Sequence, residues 1–261
     1  MAAPPNSTPR PYVLAETTWK SVREQRYEIA VLPWGATEAH NLHLPYGTDS
    51  LHAQWVAEEG ARTAWEKGTK VVVLPAVPFG VNTGQLDIPM TINMNPSTQA
   101  AVLGDVLDSL NRHGIRRFVI LNAHGGNDFR QMIRELHLRF PRILMCALNW
   151  YQIGRWEDYF ADAGDHAGEM ETSVMLHLAP RLVLPLSEAG SGKAKAARIK
   201  ALNERWAWTP RQWTRVTDDT GIGDPHQGTR EKGERYLQRV VADVGQFLVE
   251  LGSVDPDALY A

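Results

Sequence analysis

With 261 residues, 43% of them hydrophobic and 22% charged, the chain has the composition of a water-soluble globular protein large enough to bury a core without covalent staples. A formal net charge of −3 with no block of Lys or Arg excludes the basic face that nucleic-acid binding requires, and no apolar run approaches the roughly 18 residues of a membrane span. The single cysteine, Cys146, excludes a disulfide framework, sits in an apolar run as a small hydrophobe, and fits a reducing, cytoplasmic setting.

In chain order, the Pro-rich start "MAAPPNSTPRP" has no apolar stretch and reads as a disordered tail over residues 1–11, neither a signal peptide nor an anchor. Residues 12–261 are expected to form one domain. "YEIAVLPWG" is a short β-branched run that stops at Pro and Gly, hence a strand; the helix expected over 49–67 starts at a Thr48 or Asp49 cap and ends at Gly68. "TKVVVLPAVPFG" is the second strand, followed by a helix over 97–113 that opens at Ser97 and stops at Gly114. "RRFVILNAHGG" and "RILMCALNW" are the third and fourth strands, with a helix over 127–139 between them. Beyond them regularity falls: a helix over about 168–179, a Trp-rich stretch to about 220, then "GIGDPHQGTREKGE" as a Gly-rich loop feeding a closing helix. Strands alternating with helices imply a mostly parallel sheet covered on both faces, an α/β architecture.

In such a sheet ligands bind where strands release the chain at their carboxyl ends, and the polar clusters fall there. After the first strand come Glu38, His40, His43 and Asp49; after the third, Asn122, His124, Gly125, Gly126 and Asn127; a later loop carries Asp165, His166, Glu169 and Glu171. Glu38 and His40 are two apart, so in an extended segment they point the same way, as two ligands of one cation must. Asp49 at a helix mouth is favoured by the helix dipole and is able to bridge two ions. Carboxylates with imidazoles and no thiolate suit Zn, Mn or Fe(II) in an open site rather than a closed structural zinc site. Three carboxylates, Glu38, Asp49 and Glu171, with the imidazoles of His40 and His124, bring −3 against the +4 of two divalent ions, which leaves positive charge to acidify water. His43, Gly125, Gly126 and Asn127 are candidates to contact substrate, the glycines because their backbone amides can approach it closely. His52, His113, His137 and His177 lie in or at the ends of helices without such company and read as structural or surface residues. Nine tryptophans exceed what one core of this size hides, so some are expected at subunit contacts of a homo-oligomer.

These residues carry a family resemblance. "LPWGATEAHNLHLPYGTD", "NAHGGN" and "DHAGEMETS", in that order, resemble the three motifs of the creatininase family, and "GDPHQGTREKGE" looks like its late glycine-rich segment. The resemblance implies a three-layer α/β/α sandwich and a metal-dependent hydrolase, often with two divalent ions, acting on a cyclic amide, formamide or related small-molecule C–N bond. It implies Glu38, His40, Asp49 and His124 as ligands with Asp49 shared, His166 as the acid/base, Asp165 beside it as an orienting carboxylate, and a closed, often hexameric, assembly. The chain departs from creatininase proper at Gly126, where that enzyme has a glutamate ligand; Glu171 looks like the substitute. Creatinine is therefore a doubtful substrate, and Trp150 and Trp156 match no motif. The alternatives are a keto-inositol or keto-sugar ring hydrolase and a non-hydrolytic metal-dependent isomerase or dehydratase.

Overall fold

A computed structural model describes residues 9–260. The four strands are β1 (Ile29–Trp34), β2 (Val71–Val73), β3 (Arg117–Asn122) and β4 (Leu144–Asn149). The main helices are α1 (Thr48–Glu66), α2 (Pro96–Arg112), α3 (Arg130–Arg139), α4 (Glu169–Leu178) and α5 (Arg230–Ser253). All strand pairs are parallel in the order β2-β1-β3-β4, with Ile29 opposite both Val71 and Arg117, and Arg117 opposite Leu144.

β1 and β3 are central, so their side chains are buried on both faces and their sequences run apolar without alternation. The two-residue period divides them between two cores. Ile29, Val31, Val119 and Leu121 pack with α1, α4 and α5; Ala30, Leu32, Trp34, Phe118 and Ile120 pack with α2 and α3. This is the three-layer α/β/α arrangement. Small residues on α1 (Ala53, Ala57, Gly60, Ala61) let α5 approach closely: a Cβ at Gly60 would stand 2.5 Å from Val244.

The N-terminal segment protects one sheet edge, where the amide of Val73 donates to the carbonyl of Tyr12 at 2.8 Å. Residues 1–8 of the expected tail lie outside the described residues; Arg10 reaches both Glu16 and Glu58. Among the described residues the other edge, β4, is open, with grooves of about 290 and 540 Å³ on its two flanks. Trp34 and Trp150 are buried, whereas Trp19, Trp206 and Trp208 are exposed. Among the described residues no helix is long and apolar enough to cross a membrane.

Strand order positions the site. From β1 the chain crosses through α1 to β2 on one side, then returns through α2 to β3 on the other. The loops leaving β1 and β3 therefore part at adjacent carboxyl ends and open a crevice between them.

Candidate metal centre

Three ligand-bearing segments meet in that crevice. Glu38 and His40 lie in the irregular segment after β1, Asp49 in the first turn of α1, His124 two residues beyond β3, and Glu171 in the first turn of α4. Glu38, His40, Asp49 and His124 are buried. One ligand atom from each of Glu38, Asp49 and His124 falls within 4.8 Å of the others, and the same holds for His40, Asp49 and Glu171. Asp49 belongs to both groups. A third such group joins Glu38 and His40 to His166.

The imidazoles are preset by the backbone. His124 Nε2 lies 3.0 Å from the carbonyl oxygen of Val81, His40 Nδ1 3.2 Å from that of Glu38, and His166 Nε2 2.8 Å from that of Ala39. A carbonyl only accepts, so each of these nitrogens carries the hydrogen. The opposite nitrogens of His124 and His40 turn inward: Nδ1 of His124 is 2.7 Å from Glu38 Oε1 and 3.1 Å from Asp49 Oδ2, and Nε2 of His40 is 3.0 Å from Asp49 Oδ1. Outer nitrogens anchored to protein oxygens and inner nitrogens directed at carboxylates are the arrangement in which histidine holds a metal ion. Asp49 Oδ2, 3.1 Å from His124 Nδ1, has no aligned hydrogen-bond partner among the described residues. The donor set, carboxylate and imidazole without thiol, fits a divalent ion.

The electrostatics follow. Burial draws the His40 pKa down, but the adjoining Asp49 outweighs it and pushes it up to about 10. His124 is likewise raised well above its ordinary value, burial being overcome by Glu38 and Asp49. Despite burial, the two imidazoles hold Asp49 below the usual carboxylate range, and Glu38 is lowered by His124 and His166. Glu171 is raised by burial although it accepts from the amide of Ala167 at 2.6 Å. Protons on the inner nitrogens thus occupy the cationic position that a divalent ion takes in such a cage.

Glycine is required beside His124. A Cβ at Gly126 would stand 2.4 Å from His124 Nε2 and 2.4 Å from the Val81 oxygen, inside the hydrogen bond itself, whereas none of the described residues comes within 4 Å of one at Gly125. Asn127 spends its side chain inside the protein, accepting from Val81 and Gln99 and donating to Asn122. Gly126 and Asn127, expected against substrate, here seat His124. His43 is buried with Nε2 2.9 Å from Thr172 Oγ1, and burial lowers its pKa to about 4.

His166 is placed by an antiparallel bridge to Ile222, whose backbone exchanges hydrogen bonds of 3.0 and 2.8 Å with it; this is what the late Gly-rich segment contributes. Its ring lies between His40, centroids 4.2 Å apart, and Trp213, 4.7 Å apart. Asp165, expected to orient His166, is instead paired with Arg211 at 2.5 Å, and the carbonyl of Ala39 does the orienting. Glu169 is also away from the ligand groups: buried, it pairs with Lys232 at 2.5 Å and accepts from the amides of Ala161 and Asp162, which fixes the loop leading to His166. His52 is fully buried and edge-on to Trp150, and burial holds it neutral with a pKa lowered to about 3, a packing residue. Sequence reasoning missed Gln85, whose Nε2 donates to Glu38 Oε2, along with Arg211 and Trp213. Gln85 and Arg211 come from irregular segments and Trp213 opens a four-residue helix, Trp213–Val216, too short for periodicity to mark it.

The chain is similar to known proteins along most of its length. The family model described as creatininase, creatinine amidohydrolase, matches residues 15–248. The mycofactocin precursor peptide peptidase of Mycobacterium ulcerans (strain Agy99) is 26% identical over 238 residues, 87% of this chain and 84% of that protein. The creatinine amidohydrolase of Pseudomonas putida is 26% identical over 196 residues, 65% of this chain and 73% of that one. A crystal structure of a Bacteroides fragilis NCTC 9343 protein assigned as a creatinine amidohydrolase superposes with a TM-score of 0.89 at 43% identity, covering 95% of this chain and 98% of that one. A zinc–zinc creatininase variant and a manganese creatininase each superpose at a TM-score of 0.77 with 23% identity, covering 93% of this chain and 99% of theirs, a likeness of fold. The chain belongs to the creatininase family, as a hydrolase distinct from creatininase proper.

Proposed function

From this family membership, we propose that the chain is a divalent-metal-dependent hydrolase that cleaves an amide C–N bond of a small molecule or peptide-derived substrate. Glu38, Asp49 and His124 would hold one ion and His40, Asp49 and Glu171 a second, Asp49 belonging to both donor groups. The observation that carries this reading is the pair of donor groups meeting at one buried carboxylate, each with an imidazole already turned inward by a backbone carbonyl. Bound there, divalent ions supply Lewis acidity, lowering the pKa of water and drawing electrons from a carbonyl. Zinc, manganese and iron(II) all suit the donor set.

The protein's own residues do the rest. Because Nε2 of His166 is committed to the carbonyl of Ala39, Nδ1 is the atom that accepts a proton from the attacking water and returns it to the leaving amine. The flanking rings of His40 and Trp213 keep that imidazole from rotating. Gln85 steadies Glu38, and Gly125, whose surroundings are open, is the position where a substrate oxygen approaches a backbone amide most freely. The relatives named a peptide peptidase and a creatinine amidohydrolase share the breaking of an amide C–N bond, and this supports that bond class without choosing the substrate. Subunit association belongs to the same proposal, supported by the exposed Trp206 and Trp208.

The test is reconstitution. Purified chain stripped of metal and reloaded with zinc, manganese or iron(II) takes up stoichiometric ion, and a panel of cyclic amides, formamides and short peptides yields a product that incorporates one oxygen from isotopic water. A chain that takes up no divalent ion overturns the proposal.

A further inference from the structure

We infer that Arg211 and Trp213 form the recognition face of this site, and that the amide substrate carries a carboxylate which Arg211 accepts in place of Asp165. The inference rests on the metal-hydrolase reading and specifies the class of substrate it takes.

The segment carrying both residues is fastened over the crevice by its backbone. The amide of Trp213 donates to the carbonyl of Gly84 at 3.0 Å, Thr214 bonds to Asp87, and the backbone oxygen of Arg211 comes so near Gly84 that a Cβ there would stand 1.9 Å from it. The approach is possible only because residue 84 is glycine. Trp213 is thereby laid against His166, and the Arg211 guanidinium lies 5.5 Å from the Trp213 ring and pairs with the residue next to His166 in the chain.

Arg211 pairs through Nη2 with Asp165, the residue preceding His166, and the two side chains are 45% and 41% exposed. An exposed ion pair adds little to stability, and the neighbouring backbone bonds already hold the segment, so the pair is not needed as a fastener. Asp165 is its one partner among the described residues, which leaves Nε and Nη1 as unspent donors in a planar fork that matches a carboxylate. Exchange of the Asp165 carboxylate for a substrate carboxylate keeps the guanidinium neutralised throughout. Trp213 offers an apolar plane between that anchor and His166, on which the rest of the substrate lies.

The test uses the zinc-loaded full chain and two probes that grip a metal ion independently of the substrate: N-hydroxysuccinamic acid, a hydroxamate with a carboxylate tail, and the same hydroxamate with a carboxamide tail. Calorimetric Kd values are expected to favour the carboxylate probe by roughly tenfold or more. Arg211→Gln abolishes that preference while the carboxamide Kd stays put; Arg211→Lys, which keeps the charge and the fold, retains part of it; Asp165→Asn, which removes the competitor, widens it. If the pair were only a latch, Arg211→Gln and Asp165→Asn would shift both probes alike, and that result overturns the inference. So does equal binding of the two probes by the unaltered chain. Failure of both hydroxamates to bind strikes the metal-hydrolase reading itself, and the inference falls with it.

Discussion

His124 turns Nδ1 to within 2.7 Å of Glu38 Oε1 while its other nitrogen is held 3.0 Å from the carbonyl oxygen of Val81. The inner nitrogen carries a proton in the metal-free cluster, and His40, pushed up to about 10, carries another. Metal must displace both, so binding is expected to release about two protons near neutral pH and to tighten as pH rises. Calorimetry in buffers of different ionisation enthalpy measures the count; zinc uptake with no proton released would contradict the assigned ligands.

The same shifts set the stability of the chelator-treated chain. A histidine whose folded pKa is raised contributes stability that is fully present below its unfolded pKa near 6.5 and is lost as pH climbs through the folded value. With His40 at about 10, Tm of the metal-free protein should fall between roughly pH 6.5 and 10. The metal-loaded protein should show a flatter profile there, because its ligand nitrogens are deprotonated in the folded state.

The shared position of Asp49 separates its variants from those of its neighbours. Asp49→Asn should lose both ions and Glu171→Gln one, while His166→Ala should keep its metal and lose about 10²–10⁴-fold in kcat. Elemental analysis beside single-turnover rates makes the distinction, and a fully active His166→Ala protein would remove that residue from proton transfer.

Adjacent glycines should behave oppositely. Gly126→Ala drives a methyl group into the contact between His124 and Val81, so the inward tilt of the ring, and metal affinity with it, should be lost; Gly125→Ala meets open space and should fold and bind metal normally. Zinc titrations on the two variants check this, with Gly125→Ala further expected to slow turnover if its amide faces the reacting oxygen.

Lys232 compensates a carboxylate that is almost wholly buried, with side-chain exposures of 30% for Lys232 and 1% for Glu169. Lys232→Met leaves Glu169 charged with only the backbone amides of Ala161 and Asp162, at a cost of about 3 kcal/mol, the low end for a broken buried pair because the lysine is partly wet. Urea denaturation reads the loss, and the double variant with Glu169→Gln should recover part of it.

The layered fold was legible because β1, β2 and β3 are continuous β-branched or apolar runs bounded by Pro, Gly or Asn, and because Gly68 and Gly114 mark where helices stop. Glu38, His40, Asp49, His124 and Glu171 were legible since their residue types have few other reasons to gather at strand ends. The partners that aim them were not. His40, His124 and His166 are oriented by the carbonyls of Glu38, Val81 and Ala39, and a backbone oxygen leaves no trace in the amino-acid sequence. Asp165 misled for a related reason: adjacency to His166 in the chain says nothing about which way the carboxylate turns, and it turned toward Arg211, forty-six residues on. Trp213 lies in a stretch with no period to read, and only the backbone contact with Gly84 puts it beside the imidazole.

Among the described residues β4 leaves its outer row of amides and carbonyls without a neighbouring strand, along a sequence, LMCALN, that holds neither proline nor lysine. Such a margin templates the addition of another strand, and natural sheets ordinarily blunt it with charge or a kink. Heated or concentrated preparations should accordingly fail by joining rim to rim there before the cores melt, and a lysine placed at the outward Ala147 is the economical safeguard against precipitation.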